Sequence, residues 1–91
     1  MYVIIVYDMK SDRTRKPRTL LRQYLTHTQN SVFEGNITEG DLKKIQPKLK
    51  KITEENESII IYKFRSKKFV ERIAHGNDPT EESQFIWLFQ S

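Results

Sequence analysis

Apolar positions in this chain fall into short blocks whose spacing switches between strand-like and helix-like. Tyr2-Val3-Ile4-Ile5-Val6-Tyr7 is apolar or aromatic at every position and rich in β-branching. Such a run reads as a central strand covered on both faces, and Asp8 ends it. Asp12 or Thr14 can cap a following helix, and Pro17 is tolerated only within a first turn, so the spacing predicts a helix start near Thr14. Leu20, Leu21, Tyr24 and Leu25 then share one helical face. Residues Asn30 to Ile37 read as a second strand, with Gly35 as a point of bending. Thr38-Glu39-Gly40-Asp41 resembles a capping box with Asp in the usual place of Glu. Leu42, Ile45, Leu49 and Ile52 follow at amphipathic spacing, and Pro47 among them predicts a kink or a late start. Ser58 to Phe64 is a third strand. Phe69 to Ala74 reads as a fourth, paired to it through a turn at 65–68. After a loop at Gly76-Asn77-Asp78-Pro79, the block Phe85-Ile86-Trp87-Leu88-Phe89 is too apolar to stand in water and must join this chain's sheet or a partner's.

These elements predict an α+β, ferredoxin-like fold: a four-stranded antiparallel sheet with two helices on one face. The other sheet face is left for a partner or a ligand. With 91 residues and 36% apolar content, the chain is expected to form a single domain over 1–91, because a smaller unit buries too little surface. The absence of cysteine excludes a disulfide scaffold, a cysteine-ligated zinc finger and a thiol nucleophile. No apolar run approaches the roughly 18 residues of a membrane span, and no signal-peptide pattern opens the sequence, so a soluble, cytoplasmic protein with no membrane partner is expected.

Charge sharpens this reading. The net charge is +4, and the surplus lies just after the first strand, at Lys10, Arg13, Arg15, Lys16, Arg18 and Arg22. Further basic blocks are Lys43 to Lys51 and Lys63 to Arg72, while Glu54, Glu55 and Glu57 form an acidic one. A basic cluster beside a strand end suits a nucleic-acid backbone, and Lys10, Arg13, Arg15, Lys16 and Arg18 are the candidate contacts. The plainer reading of each block is a solvated face.

Asp8 is the candidate catalytic residue. A carboxylate where a central strand leaves its sheet is exposed enough to bind a cation and rigid enough to place it, and with the adjoining cations it suits Mg²⁺ held against a phosphodiester. The alternative is that Asp8 caps the next turn through backbone N–H groups. One carboxylate is too few for a two-metal site, but a twofold dimer repeats it, so two Asp8 side chains can share one ion. Two such carboxylates repel, and the pair fills with metal more readily as pH rises. His27 and His75 lack ligand spacing, Ser31 lacks an adjacent base, and Tyr7, Phe33 and Trp87 are most simply core or interface. There is no glycine-rich phosphate loop and no RNA-recognition aromatic signature.

Taken together, Tyr2-Val3-Ile4-Ile5-Val6-Tyr7-Asp8, the basic stretch, a helix and Gln29-Asn30-Ser31-Val32-Phe33-Glu34-Gly35 resemble the small CRISPR-associated endonucleases, the second Cas core family. The resemblance implies a ferredoxin-like homodimer and a metal-dependent phosphodiesterase acting on RNA, double-stranded DNA or both. It also implies spacer acquisition in CRISPR immunity together with the CRISPR integrase, the first Cas core protein. Asp8 matches the metal-binding aspartate at the dimer axis. Tyr7 matches the preceding tyrosine, Arg15 the basic residue approaching the first helix, and Phe33 the phenylalanine of the Ser31-Val32-Phe33 stretch. Residues 79–91 match a tail that adds to the partner's sheet. Two positions depart from the pattern: Pro17 stands where a second arginine can occur, and His27 where a basic residue precedes the second strand. Three other readings stay open at this stage: a non-catalytic DNA-binding scaffold of the integrase complex, a ribonuclease toxin on the same fold, and a plain nucleic-acid binder.

Overall fold

A computed structural model of the protein describes residues 1–76. Its central strand is β1 (Tyr2–Asp8). A short 3-10 turn (Ser11–Arg13) leads to α1 (Arg15–Leu21), whose N-cap residue is Thr14. The chain then forms β2 (Thr26–Gln29) and β3 (Val32–Asn36), a hairpin turning at Asn30-Ser31. Helix α2 (Glu39–Ile52) and strand β4 (Ser58–Phe64) follow, and a second 3-10 turn spans Lys67–Phe69. The sheet order is β2-β3-β1-β4 with every neighbouring pair antiparallel, the split arrangement of a ferredoxin-like fold.

Strand alternation decides where the core lies. Val3, Ile5 and Tyr7 of β1 and Phe33 of β3 point to the helices and are all but fully buried, together with Leu21 of α1 and Leu42, Ile45 and Leu49 of α2. The α2 pattern therefore does what its spacing predicts. Thr38 caps the helix, its hydroxyl accepting the Asp41 N–H at 3.0 Å.

The other face carries Tyr2, Ile4, Val6 and Asp8 of β1. Their register partners are Phe64, Tyr62, Ile60 and Ser58 of β4 and, for the first three, Asn36, Glu34 and Val32 of β3. No helix among the described residues covers it. Ile60 and Tyr62 are 48% and 50% exposed there.

Several expectations need correction. The strand expected over Asn30 to Ile37 is the second arm of a hairpin whose first arm, Thr26–Gln29, has no apolar alternation. That arm is an edge strand with a bulge between His27 and Gln29, held by pairing to β3 and by burial of Thr28. The expected fourth strand at Phe69 to Ala74 is not formed. Ser66 accepts the Lys68 N–H and starts a 3-10 turn, and Arg72 then reaches Glu34 on the helix-free face at 3.4 Å. The fourth strand is thus the hairpin arm between the helices. Helix α2 does not start late at Pro47, which lies inside it. Pro47 is exposed, so water can satisfy the Lys43 carbonyl that loses its N–H partner. The first helix is also shorter than its apolar face: it ends at Leu21, and Leu25 reaches the core through a turn, its N–H bonding the Leu21 carbonyl at 2.8 Å. Trp87 and the terminal block 85–89 lie outside the described residues.

Candidate functional site

β1 delivers Asp8 to the end of the sheet, exposed and on the helix-free face beside Ser58. Among the described residues its carboxylate makes no ion pair and accepts no hydrogen bond, and the 3-10 turn that follows has no side-chain cap. The capping alternative is therefore not what this carboxylate does. An exposed, unshared carboxylate on a paired central strand is a fit ligand for a hard cation. No group of three or more His, Cys, Asp or Glu converges among the described residues, so those residues of one chain do not build a closed protein cage for a metal. Mg²⁺ tolerates this, since it keeps several waters and is held by one or two carboxylates.

The residues around Asp8 hold it in place. The Tyr7 N–H donates to the Ser31 carbonyl at 3.0 Å, and the Tyr7 hydroxyl donates to the Asn30 carbonyl at 3.1 Å. His27 Nε2 lies 3.1 Å from the same carbonyl, and its ring stacks on Phe33 with centroids 4.5 Å apart. Burial pushes the Tyr7 phenol above its ordinary value, although Arg18 and Arg22 pull the other way. Tyr7 thus stays a neutral donor that pins the hairpin turn against the strand end. Phe33 is fully buried against it. Tyr7, Ser31 and Phe33 are supports rather than acid–base groups.

The structure separates the predicted basic contacts. Lys10, Arg15 and Lys16 are exposed. Arg15 and Lys16 line a groove of about 540 Å³ between the helices with Lys48, over a floor of Leu20 and Ile52. A smaller cleft beside it, about 330 Å³, adds Lys51. Arg18 turns back on its own helix, its Nε donating to the Thr14 carbonyl at 3.3 Å. Arg13 is committed elsewhere. Its Nε and Nη2 grip the Glu57 carboxylate at 2.7 and 3.1 Å, Nη2 also donates to the Ile52 carbonyl at 2.8 Å, and Nη1 lies 3.2 Å from Glu54. A guanidinium so engaged is a clamp between the β1–α1 and α2–β4 loops, not a free phosphate contact.

Glu57 stands out only in the structure; in the sequence it is one member of an acidic block. Its side chain is only 4% exposed. The Arg13 bonds, then the Glu54 N–H, hold its carboxyl down at about 2 against an ordinary 4.5. A depressed carboxylate contributes stability that is fully present above the unfolded value and is lost as pH falls toward the folded one. Thermal melts are therefore expected to show wild type losing more stability than Glu57→Gln between about pH 4.5 and 2. Parallel curves through that window would contradict the assignment.

Fold and site together define a small ferredoxin-like protein with a lone strand-end carboxylate on an open sheet face and a cationic groove between its helices. Residues 1–72 match the family described as CRISPR associated protein Cas2. The chain is 43% identical over 83 residues to the CRISPR-associated endoribonuclease Cas2 of Pyrococcus furiosus, covering 90% of this chain and 98% of that one. It is 44% identical over 87 residues to the protein of the same name from Methanosarcina acetivorans, covering 94% and 100%. Among solved structures, a Cas2 crystal structure superposes with a TM-score of 0.77 at 41% identity, covering 86% of this chain and 88% of the other. Streptococcus pyogenes Cas2 at pH 6.5 superposes with a TM-score of 0.68 at 29% identity, over 81% and 100%. The chain belongs to the Cas2 family of CRISPR-associated proteins.

Proposed function

We propose that this protein is a metal-dependent endonuclease that cuts phosphodiester bonds in RNA, and that two copies pack through the helix-free sheet face so that their Asp8 carboxylates share one Mg²⁺. The observation that carries this reading is Asp8 itself: exposed, unpaired among the described residues, and on the same face as half-exposed Ile60 and Tyr62. An apolar face of this kind marks an interface, and a twofold axis through it repeats Asp8. Bound Mg²⁺ supplies charge neutralisation at a phosphodiester and a more acidic water. The chain's own residues do the rest. Asp8 orients the ion from a rigid strand end, and Lys10, two residues on, is free to meet a phosphate oxygen. RNA is the first substrate to test because the relatives from P. furiosus and M. acetivorans are named endoribonucleases; double-stranded DNA is the second.

A second reading is a DNA-holding role in spacer acquisition beside the CRISPR integrase. It is supported by the cationic groove of Arg15, Lys16 and Lys48, which lies in the helix layer, away from the face that carries Asp8. The two readings coexist if cutting and holding use different surfaces.

Labelled RNA and double-stranded DNA incubated with the purified protein separate them. Cleavage of RNA in Mg²⁺, stopped by EDTA and restored by added Mg²⁺, is the expected result. Cleavage that persists in EDTA would remove the metal from the proposal. Tight, salt-sensitive DNA binding without cleavage of either substrate would leave only the holding role.

A further inference from the structure

We propose that Glu57 is a positioning residue for Asp8: its buried carboxylate is the hub around which the loop leaving β1 is folded. The inference rests on the reading that Asp8 holds the metal. Three hydrogen bonds converge on this one carboxylate. Arg13 grips it with Nε at 2.7 Å and Nη2 at 3.1 Å, and the Glu54 N–H donates to it at 2.9 Å. Arg13 ends the 3-10 turn that follows Asp8, and its own N–H closes that turn on the Lys10 carbonyl at 2.9 Å, so the carboxylate anchors the turn through Arg13. It also precedes Ser58, the β4 residue paired with Asp8. The strand that carries the ligand and the strand beside it are therefore tied together where both reach the sheet end.

The turn that presents Glu57 is built for this. Asn56 adopts a left-handed conformation with φ of 70°, which asparagine tolerates better than most residues, and the Glu57 N–H closes the turn on the Glu54 carbonyl at 3.0 Å. Glu54 is different. Its side chain is 64% exposed and meets only the outer nitrogen of Arg13, so it adds little. A carboxylate already held by three donated hydrogen bonds is not itself a metal ligand. It orients the residue that is.

The test uses Mn²⁺ as the probe with the full-length protein, reading metal affinity by electron paramagnetic resonance and loop order by hydrogen exchange of the residue 13 amide, which closes the turn on the Lys10 carbonyl. Loss of an outer-shell support typically weakens metal affinity about 10–100-fold. Glu57→Gln is expected to weaken Mn²⁺ binding by that factor and to speed exchange of the residue 13 amide, while Glu54→Gln changes neither. Arg13→Lys keeps the charge but loses the two-point grip, and is expected to fall between wild type and Glu57→Gln. It carries the test if Glu57→Gln does not fold. Faster exchange of the residue 13 amide with unchanged Mn²⁺ affinity would overturn the inference and leave the metal reading intact. Failure of Asp8→Asn to abolish the Mn²⁺ binding seen in wild type would instead overturn the metal reading, and this inference with it.

Discussion

Replacing Asp8 with asparagine is expected to lower metal-dependent RNA cleavage at least about 100-fold while leaving the fold untouched. The size follows from what the substitution removes. Loss of a group that merely supports a metal ligand costs about 10–100-fold. Asp8 is the proposed ligand itself, and in the proposed twofold dimer the substitution deletes it from both copies at once. The fold is spared because Asp8 is exposed and bonded to no described side chain. A surface substitution of that kind changes stability by about 0.5 kcal/mol or less, equivalent to roughly 2–4 °C in Tm for a domain of this size. In EDTA the variant is expected to form the proposed dimer at least as stably as wild type, since that arrangement would no longer set two carboxylates against each other. Cleavage rates of purified proteins, with melting curves in Mg²⁺ and in EDTA, test all three points. A variant that cuts at the wild-type rate would move the reaction away from Asp8.

What the sequence disclosed divides along a physical line. Elements with strong internal periodicity were legible: the continuous apolar run of β1, the Leu42-Ile45-Leu49 stripe of α2 with its Thr38 cap, and β4. Thr26–Gln29 was not, because Thr-His-Thr-Gln has no period of its own and becomes a strand only through its pairing with β3. The stretch after β4 misled for the opposite reason. Phe69 and Ile73 are strand-like residues but stand 53% and 62% exposed, while Ser66 and Arg72 direct the backbone into a turn and then to Glu34.

The candidate site shows the same division. Asp8 could be picked out because a strand-end carboxylate beside cations is a local pattern. Arg13 groups with its basic neighbours because charge in sequence does not reveal a partner 44 residues away. Neither Arg13 nor Glu57 is unusual locally. Their pairing exists only because β1 and β4 run side by side, which brings the loop after one against the loop before the other. The acidic and basic blocks, each plausible as a solvated face, supply the opposite sides of one buried contact.

The second large effect concerns the open sheet face. If the proposed dimer forms through this face, Ile60→Asp is expected to leave a monomer and to abolish cleavage with it. Ile60 pairs with Val6 in the β1–β4 register, one pleat repeat before Asp8, so a partner that brings the two Asp8 residues together must pack over Ile60. The side chain is 48% exposed in one chain, so burying the remainder is worth about 1 kcal/mol per copy. Burying an unpaired carboxylate instead costs several kcal/mol. The axis doubles both terms, and a total above about 4 kcal/mol weakens association by roughly 10³-fold. The isolated chain should still fold, because position 60 lies on the face away from the core and substitution on such a surface shifts strand stability by about 1 kcal/mol at most. Sedimentation at several concentrations, circular dichroism and the RNA cleavage assay on the same preparations check the three statements. A folded monomer without activity means that one Asp8 is not enough. A folded monomer that still cuts would show that a single chain holds the metal alone, and the shared ion would have to be given up.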